Sequence, residues 1–192
     1  HDTLIKLFEQ HRIDILAGTQ MVVKGLDFEK VSLVGVLDAD GLLSFADFRV
    51  NERAFQLMEQ VSGRAGRKQE RGLVLIQASK TNHPVLLFVQ QHDYTRFYDF
   101  EMEMRKQFFY PPFSRLIRVT LKHKLKEIVM EAADVFGNSL EKDFDNMAGP
   151  AAPVINRVRN MYLMEILIKL QQDAANLKVQ KKVLSNHIDL LK

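Results

Sequence analysis

Apolar and polar positions along this chain switch between two periods. In residues 2–12, Leu4, Ile5, Leu7 and Phe8 recur at helical spacing, which predicts an amphipathic helix. Residues 13–19 form a short apolar run ending at Gly18-Thr19 and predict a buried strand. A loop or short helix carrying Lys24-Gly25 follows over 21–27. Residues 31–37 are β-rich, apolar and bounded by charge, as expected of a central parallel strand covered on both faces. A polar and aromatic connection spans 38–48; 50–65 predicts a helix with Asn51 as its N-cap, 66–71 a turn and 72–78 another strand. Strand, helix and strand in alternation imply an α/β unit with a parallel sheet, where ligands collect at the carboxyl ends of strands.

His83-Pro84 opens a long helical stretch, rich in Phe, Tyr and Met, that runs to about residue 107. Tyr110-Pro111-Pro112-Phe113 breaks it and places a domain boundary between 1–110 and 111–192. Beyond it, 116–121 alternates as a half-buried strand, 126–144 is an amphipathic helix and Gly149-Pro150 punctuates. Two strands over 154–158 and 162–170 are joined by a turn near Asn160, and 173–185 is a second helix. The order β-α-β-β-α, with a closing strand expected, describes a small α+β domain.

Composition narrows the class. The chain is 46% hydrophobic over 192 residues, enough to bury one core or two small ones. Net charge is only +3, but it is unevenly spread: 14 Lys and Arg oppose 15 Asp and Glu in 1–110, and 13 oppose 9 in 111–192. The basic second half suits contact with a polyanion, and an ordinary solvated surface suits it as well. With no cysteine, disulfides and thiolate zinc sites are excluded within the chain. No segment has the form of a signal peptide and no apolar run approaches the ~20 residues of a membrane span, which favours a cytoplasmic location. The opening His1-Asp2-Thr3-Leu4 lacks an initiator Met and reads as an internal piece of a longer chain.

Two strings carry chemistry. In Gln60-Val61-Ser62-Gly63-Arg64-Ala65-Gly66-Arg67, two arginines stand three apart at a helix end, each preceded by Gly. Guanidinium forks match phosphate oxygens and stay charged, and glycine lets backbone approach a ligand. Gln60 lies one turn before Arg64 on the same helical face. The set suits a γ-phosphate; an exposed basic helix end, favoured by the helix dipole alone, is the alternative. The second string, Ala17-Gly18-Thr19-Gln20-Met21-Val22-Val23-Lys24-Gly25-Leu26-Asp27-Phe28, offers backbone N–H groups, a hydroxyl and an ammonium to a phosphodiester backbone, or is simply a strand-to-helix turn. The six histidines show no metal spacing, the Phe/Tyr/Met cluster over 88–109 reads as helix packing, and Asp38 and Asp40 read as turn and hydrogen-bonding residues.

Together the two strings resemble motifs V and VI of superfamily 2 helicases. Leu37-Asp38-Ala39-Asp40-Gly41 and Ala46-Asp47-Phe48-Arg49-Val50-Asn51-Glu52-Arg53 between them resemble the matching stretch of the primosomal protein N′ family, the PriA-type helicases. Phe109-Tyr110-Pro111-Pro112-Phe113 is similar to that family's Pro-Pro turn, and Gly149-Pro150-Ala151-Ala152-Pro153-Val154, with Arg157 and Tyr162, to its C-terminal domain. The resemblance implies the C-terminal part of a RecA-like helicase lobe, a parallel sheet with helices, followed by a small α+β domain like ribosomal protein S10. It implies an ATP-dependent 3′-to-5′ DNA helicase that acts at stalled or abandoned forks and helps reload the replisome. Arg64, Arg67 and Gln60 would be catalytic, and Gly63, Arg64, Arg67 and Asp27 would face ATP. Thr19, Gln20, Lys24 and Gly25 would contact DNA, as would Arg115, Arg118, Arg157, Arg159 and Tyr162, the last by base stacking. ATP and Mg2+, forked DNA, single-stranded DNA-binding protein and other primosome proteins are the implied ligands and partners, and no membrane is. No Gly-x-x-x-x-Gly-Lys-Ser/Thr loop, no Asp-Glu-x-His string and no cysteine-rich zinc module is present, so this piece alone is expected not to hydrolyse ATP. A non-enzymatic nucleic-acid-binding or protein-docking module is the rival reading, and a related motor on RNA a third.

Overall fold

The computed structural model describes residues 2–19, 31–63 and 72–190. Packing divides the chain into two units, His1–Glu101 and Met102–Lys192. No described helix is long and apolar enough to cross a membrane.

In the first unit, α1 (Asp2–Glu9) forms where the helical spacing predicts it. The strand expected over 13–19 is absent: these residues make no ladder and Ile15 is 82% exposed. An apolar run becomes a strand only when neighbouring N–H and C=O groups line up beside it, and among the described residues none does. β1 (Leu33–Val36) pairs in parallel with β2 (Leu73–Ile76), from Leu33↔Leu73 to Val36↔Ile76. The Gln77 N–H extends this ladder to the Val36 carbonyl at 2.9 Å. One face of the pair meets helices. On the other, Leu33, Leu73 and Leu75 are more than half exposed, so the expected double cover is missing among the described residues.

The crossover holds α2 (Ala39–Leu43) and α3 (Val50–Ser62). Asn51 is not the N-cap of α3. The N-cap is Arg49, without a side-chain cap, and Asp47 shapes the turn before it, its carboxylate taking the Arg49 N–H at 2.9 Å and its carbonyl the Val50 N–H at 3.0 Å. Asn51 donates its amide to Glu101 at 3.4 Å. The side chain two residues before an Arg reaches back to its N–H more directly than an Asn already inside the first turn.

The helix expected over 83–107 is two, α4 (Pro84–Gln91) and α5 (Tyr94–Gln107). His92 adopts φ 52 and ends α4, returning its N–H to the Phe88 and Val89 carbonyls, and Asp93 restarts the chain by accepting the Arg96 N–H at 2.9 Å. The break folds α5 back onto α4. Phe55 stacks on Phe97 with centroids 4.1 Å apart, and Phe88 meets Phe97 edge-on at 6.3 Å. These rings and Met58, Val85 and Val89 form the first core, so Phe88 and Phe97 serve packing.

His83 caps α4. Its Nδ1 accepts the Val85 N–H at 3.3 Å, which only a neutral imidazole can do. Burial, then Lys80, holds its pKa below the usual 6.5 against the opposite pull of Asp40. Folding therefore favours the neutral form. This contribution is complete above pH 6.5 and is lost as pH falls from there through the lower folded value. The melting temperature, followed by circular dichroism, should drop across that acid window, and His83→Asn, which caps without titrating, should flatten the drop. Identical profiles for the two proteins would remove the cap from the account.

The second unit is a sheet backed on one face by two helices. β3 (Arg115–His123) pairs antiparallel with β6 (Met161–Leu170) along its whole length, β4 (Met147–Ala151) pairs with β6, and β5 (Arg157–Val158) pairs with the start of β6. On β6, Met164, Ile166, Ile168 and Leu170 are buried and their neighbours only partly so, the period-2 signature of a half-covered sheet. α6 (Lys126–Leu140) and α7 (Ala174–Asp189) supply Phe136, Leu140 and Leu184 to that core. Asp173 caps α7 by accepting the Asn176 N–H at 2.9 Å. His187 ties α7 to α6, with Nε2 2.8 Å from Asp143 and Nδ1 3.2 Å from Ser139 Oγ.

Here the expected order gains a strand. Gly149-Pro150, read as punctuation, lies inside β4 at a register shift, since Pro150 has no N–H to give a ladder. The strand expected over 154–158 shrinks to two residues. Gly149 has φ 98, and a Cβ there would come 2.5 Å from the Glu165 carbonyl oxygen, so this position requires glycine. The β5–β6 turn places Arg159 and Asn160 at φ 48 and 66, the two left-handed residues of a type I′ hairpin.

Candidate functional site

The end of α3 carries the first part of the predicted nucleotide site. Met58 and Val61 are buried and pin the helix, while Gln60 and Gly63 face solvent. Gly63 closes the helix with its N–H on the Glu59 carbonyl at 3.0 Å. Its φ is −68, and a Cβ there would meet nothing closer than that carbonyl oxygen, at 3.5 Å. Among the described residues nothing imposes glycine at 63. Arg64 and Arg67 lie outside the described residues, as do Gln20, Lys24, Gly25 and Asp27. Thr19 is exposed at the edge of the described segment.

The acidic and basic residues of the 38–53 tract are occupied with the fold. Asp38, at φ 59, caps α2 by accepting the Gly41 N–H at 3.0 Å. Asp40 accepts the Ser79 and Lys80 N–H groups at 2.6 and 3.5 Å, tying the α2 start to the chain beyond β2. The Ser79 bond above all keeps its carboxyl below the usual carboxylate range. Arg49 pairs with Glu52 at 2.8 Å and Arg53 with Asp47 at 2.9 Å. Among the described residues, no group of three His, Asp or Glu side chains is disposed to hold a metal ion. The link from Asp40 to 79–80 spans 39 residues, and no sequence signal announces it.

In the second unit the predicted DNA residues separate. Arg115 pairs in register with Leu170 and Arg157 with Tyr162, so they sit at opposite ends of β6, roughly 26 Å apart at about 3.3 Å per residue. Arg118 is drawn to Glu165 at 3.7 Å. Arg157 lies over the Tyr162 ring, 4.9 Å from its centroid, and donates to Asn160 at 2.6 Å. Tyr162 also packs on the small core of Val129, Ala133 and Met164, so a base stacking on its outer side must displace Arg157. Arg159 is exposed at the hairpin tip.

A parallel strand pair with a helical crossover, leading into a helix end whose Gln60 and Gly63 face solvent, fits the class that the family profile gives: a helicase C-terminal domain. The family profile described as "Helicase conserved C-terminal domain" matches residues 1–69, and that of the "Primosomal protein N C-terminal domain" matches residues 106–188. Among the similar curated proteins are several that carry the name Replication restart protein PriA. The one from Bacillus subtilis (strain 168) is 38% identical over 97% of this chain and 24% of its own length. Those of Synechocystis and Treponema pallidum are 39% and 40% identical over 88% and 84% of this chain, and 21% and 25% of their own lengths. The chain belongs to the PriA family of replication restart proteins and carries its C-terminal domain behind a match to the helicase C-terminal domain. It spans about a quarter of the length of these curated relatives.

Proposed function

We propose that this chain is the part of an ATP-dependent 3′-to-5′ DNA helicase that completes the nucleotide site from the second lobe and holds forked DNA during replication restart in the cytoplasm. The observation that carries the reading is the end of α3: an anchored helix presents Gln60 and Gly63 to solvent, and among the described residues no neighbour demands the glycine. Two arginines follow, at 64 and 67. Gln60, Gly63, Arg64 and Arg67 would line the nucleotide's phosphate side, with Asp27 near them. The exposed amide, the bare backbone and the two guanidiniums match a polyphosphate in donor chemistry. When bound with Mg2+, ATP supplies the free energy for strand separation; the chain's own residues orient phosphate and, through Thr19, Gln20, Lys24 and Gly25, hold the DNA backbone. The phosphate loop, the Mg2+ ligands and a zinc module belong to the remainder of the parent protein. Forked DNA, single-stranded DNA-binding protein and other primosome proteins are its partners.

The test is ATP hydrolysis by the full-length protein with and without forked DNA. Stimulation by the fork is expected, and its absence would sink the helicase reading in favour of a docking module. Gly63→Ala should leave the melting temperature unchanged or slightly raised, because alanine is the better helix residue, yet lower turnover at least tenfold. Unaltered turnover would remove this helix end from the nucleotide site.

A further inference from the structure

We propose that the sheet end built by the β3–α6 turn and the β5–β6 hairpin is the surface of the second unit along which a DNA phosphate backbone runs. This rests on the DNA-binding reading above and assigns it a place and three residues not previously singled out: Lys122, Lys124 and Lys126. Register assembles the surface. His123 pairs with Tyr162, and Tyr162 pairs on its other side with Arg157, so two strand spacings, about 10 Å, separate β3 from β5 here. Lys122, opposite Leu163, stands on the open face of the sheet and Arg157, opposite Tyr162, on the helix side, so the cations meet around the sheet end: Lys124 follows His123, Lys126 opens α6 and Arg159 occupies the hairpin turn.

All five cations are exposed, and among the described residues none of them is in an ion pair. Glu127 is the one carboxylate in 122–127, and 154–162 contains none. Arg118, only a few residues away along β3, is by contrast drawn to Glu165. Two of the five are held in place before any ligand arrives. Arg157 rests on Tyr162 and Asn160, and Arg159 is fixed at φ 48, a conformation rarely adopted outside Gly, Asn and Asp. The ionic groups are almost wholly donors. That suits phosphodiester oxygens, which only accept, better than a peptide, whose N–H groups also need acceptors.

The experiment is equilibrium binding of the full 192-residue chain to a single-stranded oligonucleotide and to forked duplex, without nucleotide, across a NaCl titration. Each phosphate contact contributes about 0.7 to the slope of log K against log salt on a single strand. The triple variant Lys122→Gln/Lys124→Gln/Lys126→Gln should lower that slope by about 2 and the affinity at least tenfold. The triple Lys→Arg variant should restore both, which guards against a folding artefact. Lys178→Gln/Lys181→Gln/Lys182→Gln on α7 makes the same change in net charge and should leave the slope alone. Equal losses in the two Gln triples, or an unchanged slope in the first, would overturn the proposal. So would intact DNA binding accompanied by lost binding to polyglutamate, which would assign the surface to an acidic protein. Because the readout is nucleotide-free binding, failure of the helicase reading shows separately, as absent ATP turnover.

Discussion

In the full-length protein, Arg67→Ala is expected to lower fork-stimulated ATP hydrolysis on the order of 10³-fold or more, the worth of an arginine that meets the transferring phosphate in related systems. DNA binding and folding should be intact. Buried Met58 and Val61 anchor α3, and Ser62-Gly63-Arg64-Ala65-Gly66-Arg67 is the sequence that completes and follows it. A guanidinium that meets a phosphate acts through its planar geometry as well as its charge. Arg67→Lys should therefore rescue little, because an ammonium lacks the planar fork. Arg64→Ala should reduce turnover less than Arg67→Ala if the second arginine is the one nearest the γ-phosphate. Near-normal turnover by Arg67→Ala would make it a surface cation and would raise the docking-module reading.

Phe136→Ala is expected to cost the second unit about 3–5 kcal/mol, the usual range for emptying a fully buried aromatic site. Phe136 is 1% exposed and packs in the core of α6, α7 and β6 with Leu140, Ile166, Ile168 and Leu184. Those neighbours are held by a continuous β3–β6 ladder and cannot close on the gap without breaking register. A loss of that size is a large part of the stability of a domain this small. Hydrogen exchange should show it directly: the amides of β3 and β6 lose protection while those of α3 and α4 keep theirs. Unchanged protection in β6 would mean that Phe136 is dispensable to this core.

Much of this was legible in the one-dimensional pattern. The alternation over 162–170 predicts β6, and the observed strand adds a single residue at its start. Asn160 marks the hairpin, because a type I′ turn needs residues that tolerate positive φ. The family was legible for a similar reason: its strings are particular residue types at fixed local spacing, and the family profiles match residues 1–69 and 106–188. The misses share the opposite property. Residues 13–19 look like β6's neighbours in composition, yet a strand exists only beside a partner. The split of 83–107 into α4 and α5 turns on a left-handed His92, which costs little once Phe97 can stack on Phe55. The four DNA-candidate arginines look equivalent in sequence; pairing distributes them to two ends of a sheet and leaves one beside Glu165.

By itself, then, the sequence determined the family, through the strings over which the profiles match, together with an excess of cations after residue 110 and helices and strands whose periods bury one face. Tertiary structure alone decided which cations share a surface, which carboxylates are committed to caps and ion pairs, and which apolar runs find a ladder. The physical reason is range. Propensity, capping and motif spacing act over a few residues, whereas β pairing and charge neutralisation join residues as far apart as Asp40 and Ser79, or Arg118 and Glu165, and are settled only when the chain has folded.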